Sequence, residues 1–344
     1  MHDKVILRPI QQSDLSQILV FAKEAGYGFN FLSTDSQKME SRIQDSIDSF
    51  AGVFDQPKRK YVFVLENIDT NEIIGTGAIK CCVGEPWPFY KYKISDLAQA
   101  SNVLQCKISH QLLTLVSEHE EATELGGLFL KPSYRGKGVG RFLSRSRCLF
   151  ISDFPDLFSD YIIADLRGIS TPEGVSPFWE SLGRHFFGID YDEASRLKAS
   201  KGPNFMIELM PQHPIYIDLL SPEAQAVIGK PHCDTRGAMQ TLENENFRFQ
   251  QCIDIFDGGP TIEVDKAKIK TMVDSDSHKV CKIKNKIDQE SLAWISNSRM
   301  DYRATMAPVE ISDAGICLSS TTASALMLEV GEKCRVLIIT GGNL

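Results

Sequence analysis

LFLKPSYRGKGVG (residues 128–140) joins an apolar run to a turn in which glycine takes every second place after Arg135. The run reads as the end of a strand, ELGGLFLKP (124–132), and the glycines as the opening of a helix, GVGRFLSRSRCLFISDF (138–154). Such a junction points several unhindered backbone N–H groups outward at a helix N-terminus, where the helix dipole favours an anion. Two well-known anion loops do not fit. Gly136, Gly138 and Gly140 form G-x-G-x-G, not the dinucleotide G-x-G-x-x-G, although Asp160 and Asp165 lie near the distance of a ribose-binding acid. The P-loop G-x-x-x-x-G-K-[ST] is absent as well. What remains is R-x-x-G-x-G, Arg135 to Gly140, with Lys137 and Arg141 as further cations around the nest.

Outward from this point the order of elements is legible. VILRPI (5–10) is a strand, followed by an amphipathic helix carrying Leu15, Ile18, Leu19 and Ala22, capped by Ser13 or Asp14 and stopping at Gly26. Met39, Ile43 and Ile47 put a second helix between Thr34–Asp35 and Phe50. YVFVLEN (61–67) and EIIGTGAIK (72–80) flank a turn and form a hairpin. An insertion from 81 to about 123, with the aromatic cluster PWPFYKY (86–92), precedes the central strand. DYIIADLRG (160–168) is a buried strand, and SPFWESLGRHFF (176–187) a Pro-initiated helix with Gly183 near its end, leading into a strand. The expected fold class is α+β: a mixed, mainly antiparallel sheet flanked by helices, not a regular Rossmann alternation. FWESLGRHFFGID (178–190) and MQTLENENFRFQQCIDI (239–255) both read as helix, sharp turn and aromatic-led strand. The echo divides the chain into 1–190, a partial repeat over 191–265 and a small β-rich subdomain over 266–344.

The 344 residues suit two units or one extended one. A net charge of −8 disfavours sequence-independent nucleic-acid binding and is compatible with a cationic small substrate. Nine scattered cysteines without C-x-x-C spacing predict reduced thiols and no metal site. MHDKVILRPI lacks a signal-peptide core, and no window holds a membrane span, so a cytoplasmic protein without membrane attachment is expected.

R-x-x-G-x-G between strand and helix resembles the acyl-CoA pyrophosphate loop of the GCN5-related N-acetyltransferase (GNAT) superfamily. The likeness then extends along the chain. RPIQQSDL (8–15), YVFVLE (61–66), LRGISTPEGVSPFWESLGRHFF (166–187), IELMPQHPIY (207–216), LSPEAQAVIGKPH (220–232) and CIDIFDGGPT (252–261) resemble the arginine N-succinyltransferase family. The matches are looser over 265–300, at the extreme C-terminus and in the insertion at 99–123. The resemblance implies a GNAT fold and transfer of succinyl from succinyl-CoA to the α-amine of L-arginine, the first step of the ammonia-releasing route of arginine catabolism. Succinyl-CoA would be a co-substrate, with no permanently bound cofactor. Ornithine or another basic amino acid as acceptor, and a catalytically silent acyl-CoA-binding subunit, stand as alternatives; a homo- or hetero-oligomer is left open.

The resemblance also implies roles. Leu128 and Leu130 would line the pantetheine arm through their main chains, on a strand bulged at Gly126–Gly127. Arg135, Gly138 and Gly140 would hold the pyrophosphate. His232, in the loop GKPHCDTRGA, matches the family's proton donor to the departing thiolate, a role expected to need an imidazolium. A thioester is already activated, so Cys233 is expected to be a bystander. Asp257 and Glu173 are candidates for the guanidinium, without a choice between local and binding roles.

Overall fold

The computed structural model describes residues 5–24, 31–84, 87–201, 204–287 and 291–339. The chain opens with β1 (Val5–Pro9), α1 (Leu15–Glu24), α2 (Ser36–Phe50), β2 (Lys60–Asn67) and β3 (Glu72–Lys80). Asp35 caps α2 by accepting from Lys38 N, as the sequence suggests. Asp14 does not cap α1 directly. A 3-10 turn over Gln12–Asp14 intervenes, and the Asp14 carboxylate accepts from Gln11 N and from both terminal nitrogens of Arg8. The buried Arg8 claims that carboxylate first. Gly26 lies outside the described residues.

The insertion is not irregular. It holds a long hairpin, β4 (Lys91–Ser101) and β5 (Cys106–Val116), paired over its whole length. The alternation that would announce it is weak, because the outer half of the hairpin is exposed on both faces. Next come β6 (Thr123–Leu130), α3 (Val139–Asp153), β7 (Tyr161–Asp165), α4 (Pro177–Ser181) and α5 (Gly183–Phe187). The expected single helix over 176–187 breaks at Leu182, where φ and ψ leave the helical region. Gly183 opens the second piece instead of ending the first, because any Cβ there would stand 2.4 Å from the Trp179 ring. The chain then enters α6 (Tyr191–Lys201), not a strand. The first half of the internal echo is therefore not helix, turn and strand.

The remaining elements are α7 (Asn204–Leu209), β8 (Ile215–Tyr216), α8 (Pro222–Val227), α9 (Arg236–Glu243), β9 (Arg248–Asp254), β10 (Pro260–Asp265), α10 (Lys270–Asp274), β11 (Asp276–Lys284), β12 (Ser291–Ser296), β13 (Ala304–Ser312), β14 (Gly315–Ser319), α11 (Ser320–Leu326) and β15 (Lys333–Ile338). The central sheet runs β1-β2-β3-β6-β7-β10-β9-β4-β5-β8, and within it only β6–β7 is parallel. β9 and β10 thus extend the same sheet that carries β7, so no sheet edge falls at residue 190. The C-terminal strands pair in a ring, β12–β15–β11–β14–β13–β12, a small closed barrel joined to the sheet through β13 and β1. Closure removes strand edges that so small a sheet would otherwise expose. Among the described residues no helix is long and apolar enough to cross a membrane.

The core lies on both faces of the sheet. α1 and α2 pack Ile18, Phe21, Met39 and Ile43 against one face. On the other lies α3, buried almost all round between the sheet and the barrel strand bearing Trp294. Complete burial makes its polar side chains structural. Arg145 pairs with Glu245 at 2.5 Å, and Tyr302 Oη donates to Ser146 O at 2.8 Å. Arg147 is the most consequential. Its Nη1 donates to Ala78 O at 3.1 Å on β3 and to Gly126 O at 3.0 Å on β6. Burial pulls its pKa down to about 10, still well above neutrality.

Arg147→Met keeps the length and the apolar packing but leaves two buried carbonyls without a donor, each worth about 1–3 kcal/mol. Denaturant unfolding should show a loss of at least about 2 kcal/mol; an unchanged midpoint would mean that the guanidinium does not hold the two strands.

Candidate active site

β6 and β7 are paired only at Thr123↔Ile162 and Glu124↔Ile163. Beyond Glu124 the two strands part, β6 staying on β3 and β7 on β10. Between Thr76 and Ala78 the β3–β6 register slips, so that Gly127 and Leu128 have no partner on β3. This is the bulge expected from the Gly126–Gly127 pair. Gly127 sits at φ 61°, with the Phe31 ring 2.5 Å from where a Cβ would be, and Thr76 Oγ1 donates to its carbonyl at 2.9 Å. Leu128 and Leu130 pack their side chains on the core. On the β7 side, the main chain of Gly126–Leu130 has no strand neighbour among the described residues.

Beyond Leu130 a 3-10 turn over Pro132–Tyr134 delivers the glycine run to the head of α3. Gly136 and Gly138 take φ values of 76° and 77°, and no atom lies within 4 Å of an added Cβ at either. Both thus need glycine for backbone conformation and face open space. Gly138 is the N-cap and no side chain caps the helix, leaving the first-turn N–H groups without intrahelical acceptors. Gly140 is already helical, and an added Cβ would make only ordinary contact with Leu130 at 3.5 Å, so neither φ nor space demands glycine there. Of the cations, Arg135 turns back to donate from Nε to Leu130 O at 3.1 Å, Lys137 donates to Ser133 O at 3.0 Å, and Arg141 is exposed.

His232 lies on the other arm of the divergence. Its N–H donates to Arg167 O at 2.8 Å, just past the end of β7, beside an antiparallel bridge between Gly168 and Pro231. Ser221 caps α8 upstream by accepting from Ala224 N, as expected, and a 3-10 turn follows over Cys233–Thr235. The imidazole is mostly buried, and its Nδ1 accepts from Arg167 Nη2 at 2.7 Å and from Asp234 N at 3.2 Å. Arg167 also donates to Asp234 Oδ2 at 3.2 Å, and Asp234 Oδ1 stands 3.9 Å from Arg135 Nη1. This chain brings the histidine loop beside the glycine turn. Desolvation first, and then the Arg167 charge, push His232 below the usual histidine range. Arg167 Nη2 and Asp234 N are both donors, so Nδ1 meets them as an acceptor. Cys233 Sγ is 3.7 Å from the same Nδ1, which the guanidinium already occupies, so the histidine does not activate that thiol. His232, Cys233 and Asp234 bring ligand atoms within 4.8 Å of one another, but a metal ion at Nδ1 would have to displace the guanidinium.

Of the two candidate acids, Asp257 is committed elsewhere. It is buried, accepts from Gly168 N at 2.8 Å and Gly259 N at 2.9 Å, and is pushed up to about 7 by burial and by Asp254. It pins the β7 end to the turn before β10. Glu173 is exposed in a loop and held below the usual range by Thr171. A charged network that the sequence reading missed lies where β7, β10, β9 and β4 meet. Buried Lys91 Nζ donates to Asp165 and approaches Asp254 Oδ2 at 3.5 Å, and Thr261 donates to Asp165 at 2.6 Å. Glu124, at the point where the strands part, carries a carboxyl raised by burial and by Asp165. No local signal marks this network, because its members lie up to 163 positions apart.

A family model described as the beta subunit of arginine N-succinyltransferase matches residues 5–271, and one for that subunit's C-terminal domain matches 279–337. The chain is 36% identical over 333 residues to an arginine N-succinyltransferase of Yersinia enterocolitica, covering 96% of each, and 35% identical over 334 residues to one of an Enterobacter species, covering 97% of each. Among solved structures, subunit AI of the arginine/ornithine succinyltransferase of Pseudomonas aeruginosa superposes with a TM-score of 0.88 at 27% identity, over 98% of this chain and 99% of that one. The diverging strands, the uncapped glycine turn and these full-length matches agree: this chain belongs to the arginine N-succinyltransferase family.

Proposed function

We infer that the chain is an acyltransferase carrying the succinyl group of succinyl-CoA to the α-amine of L-arginine. The observation that carries this reading is the gap between β6 and β7, floored by a bulge and closed at one end by an uncapped, cation-flanked helix terminus. A CoA thioester laid in that gap places its pyrophosphate on the N–H groups around Gly136–Gly140 and its pantetheine amides along the β7-facing side of Leu128–Leu130. His232 faces it from the β7 arm. An amine then reaches the carbonyl from the side of Glu124, Asp165 and Lys91, where net negative charge suits a cationic amino acid.

The reaction forms a C–N bond and breaks C–S. Direct attack on the thioester needs no covalent enzyme intermediate, in keeping with the idle Cys233. The ammonium must first lose a proton, and the raised, half-buried Glu124 carboxylate beside the bulge is suited to receive it. Neutral His232 donates from Nε2. It does not surrender that proton outright, since an imidazole anion would be far more basic than a thiolate. The hydrogen bond stabilises the charge that develops at the carbonyl oxygen and sulfur. The thiol's proton comes, in balance, from the amine nitrogen.

Gly138→Val meets no neighbouring atom, so its cost to folding is confined to backbone strain at positive φ, to be read from the melting temperature, and its branched side chain would stand before the helix terminus. Calorimetry should show succinyl-CoA affinity reduced at least tenfold and arginine KM little changed; intact affinity would remove the pyrophosphate from this turn. His232→Ala forfeits a capping contact worth about 1 kcal/mol and should keep a folded protein. Its kcat should fall by about 10²–10³, as for loss of one donor to a developing oxyanion, with acyl-CoA binding retained, and a loss smaller than tenfold would exclude the histidine from the chemistry. In a CoA-release assay across amine acceptors, arginine should lead and ornithine follow. An acidic or aromatic amine in front would refute the arginine assignment, and release of no CoA with any of them would favour a silent acyl-CoA-binding subunit.

A further inference from the structure

The Arg167 guanidinium approaches His232 to 2.7 Å. A guanidinium has five N–H donors and no acceptor. At 2.7 Å from Nδ1 it therefore meets a lone pair, not a proton. Asp234 N, at 3.2 Å from the same nitrogen, is a second obligate donor. With two donors on Nδ1, the ring's single proton sits on Nε2, pointing away from Arg167. We propose that Arg167 is a positioning residue that fixes His232 in its Nε2–H form, restricting it to donating toward the thioester and removing it as a base for the incoming amine. This deepens the reading of His232 given above and rests on it.

The placement is built by the fold. Arg167 follows β7 directly, its carbonyl accepts the His232 N–H at 2.8 Å, and the Gly168–Pro231 bridge holds the two segments together. Asp234 Oδ2, which accepts from Arg167 at 3.2 Å, steers the guanidinium without reaching Nδ1, from which it stays 3.5 Å away. The charged groups facing the imidazole are Arg167, Asp234 and Arg236; the two arginines oppose protonation and Asp234 favours it. Protonating Nδ1 would set an N–H against the N–H of Arg167. The rate should accordingly fall on the acid side, as His232 charges at a pH below the ordinary histidine range. A histidine working as an imidazolium would instead lose activity as pH rises.

Long-range ¹⁵N–¹H correlation spectra of histidine-labelled protein, with His232→Ala for assignment, read the tautomer directly. The wild type should show Nδ1 unprotonated and Nε2 protonated. In Arg167→Met the two nitrogens should shift toward a tautomeric average, the titration midpoint should rise, and the acid limb of the kcat profile should move up with it. Its kcat should fall about 10- to 100-fold, as for other partners that orient a working imidazole, with succinyl-CoA KM within about twofold. Arg167→Lys, which keeps a cationic donor, should recover the wild-type tautomer, and Arg167→Met added to His232→Ala should cost little more. A protonated Nδ1 in the wild type overturns the proposal even if Arg167→Met fails to fold. So does an Arg167→Met protein with unchanged tautomer and midpoint. If Nε2–H is found while His232→Ala keeps its rate, the catalytic reading of the histidine fails and the positioning by Arg167 stands.

Discussion

The contact on which the rest of the molecule depends is a buried guanidinium lodged against a strand that has stopped pairing. Where β6 bulges at Gly127, carbonyls that regular strand pairing would satisfy are released, and Arg147 reaches from α3 to bind one on β6 and one on β3. Buried carbonyls without donors are costly, so the bulge and the arginine require each other. The bulge aims β6 away from β7. The parting of those strands makes the gap, and the same helix that carries Arg147 presents its uncapped N-terminus at the end of that gap. One fixed contact thus sets the β6 wall of the gap relative to the helix terminus at its end.

The β7 arm is fixed by different means. Asp257, deep and with its carboxyl raised to about 7, accepts from Gly168 N and Gly259 N, and a Cβ on Gly168 would fall 2.4 Å from the Asp257 carbonyl. This close approach anchors the residues immediately after Arg167 and, through the bridge to Pro231, the histidine loop. An acid that looks available for a substrate guanidinium is therefore spent on geometry. A second cluster of charged groups lies where the strands part: Glu124, Asp165 and Lys91. Burial and Asp165 raise the Glu124 carboxyl, whereas at Lys91 the Asp165 and Asp254 carboxylates outweigh burial and keep the ammonium charged.

His232 shows how tertiary contacts choose a chemical role. An isolated histidine exchanges its proton between two nitrogens and titrates near neutrality. Here an arginine from the neighbouring strand end takes one nitrogen and, together with burial, lowers basicity. On the proposed reading the result is a donor with a fixed direction, which serves the thiol side as a neutral imidazole and not as the imidazolium that the family likeness led one to expect.

Much of the fold was legible because its signals are local. The glycine turn, the caps at Asp35 and Ser221, the β2–β3 hairpin and the bulge at Gly126–Gly127 each follow from a few adjacent residues whose φ or hydrogen-bonding needs are peculiar to them. The strings shared with the family carried the identity of the reaction. The β4–β5 hairpin escaped notice because a strand exposed on both faces has no hydrophobic period. The broken helix at Leu182 did too, since the Trp179 ring that forbids a side chain at Gly183 is placed by packing against Phe187 and Phe256. Whether Asp257 meets a substrate or a backbone N–H, and which nitrogen of His232 meets a guanidinium, depended on partners 89 and 65 residues away. Protonation and hydrogen-bond partners are set by whatever group arrives within about 3 Å, and only the folded chain decides which group that is.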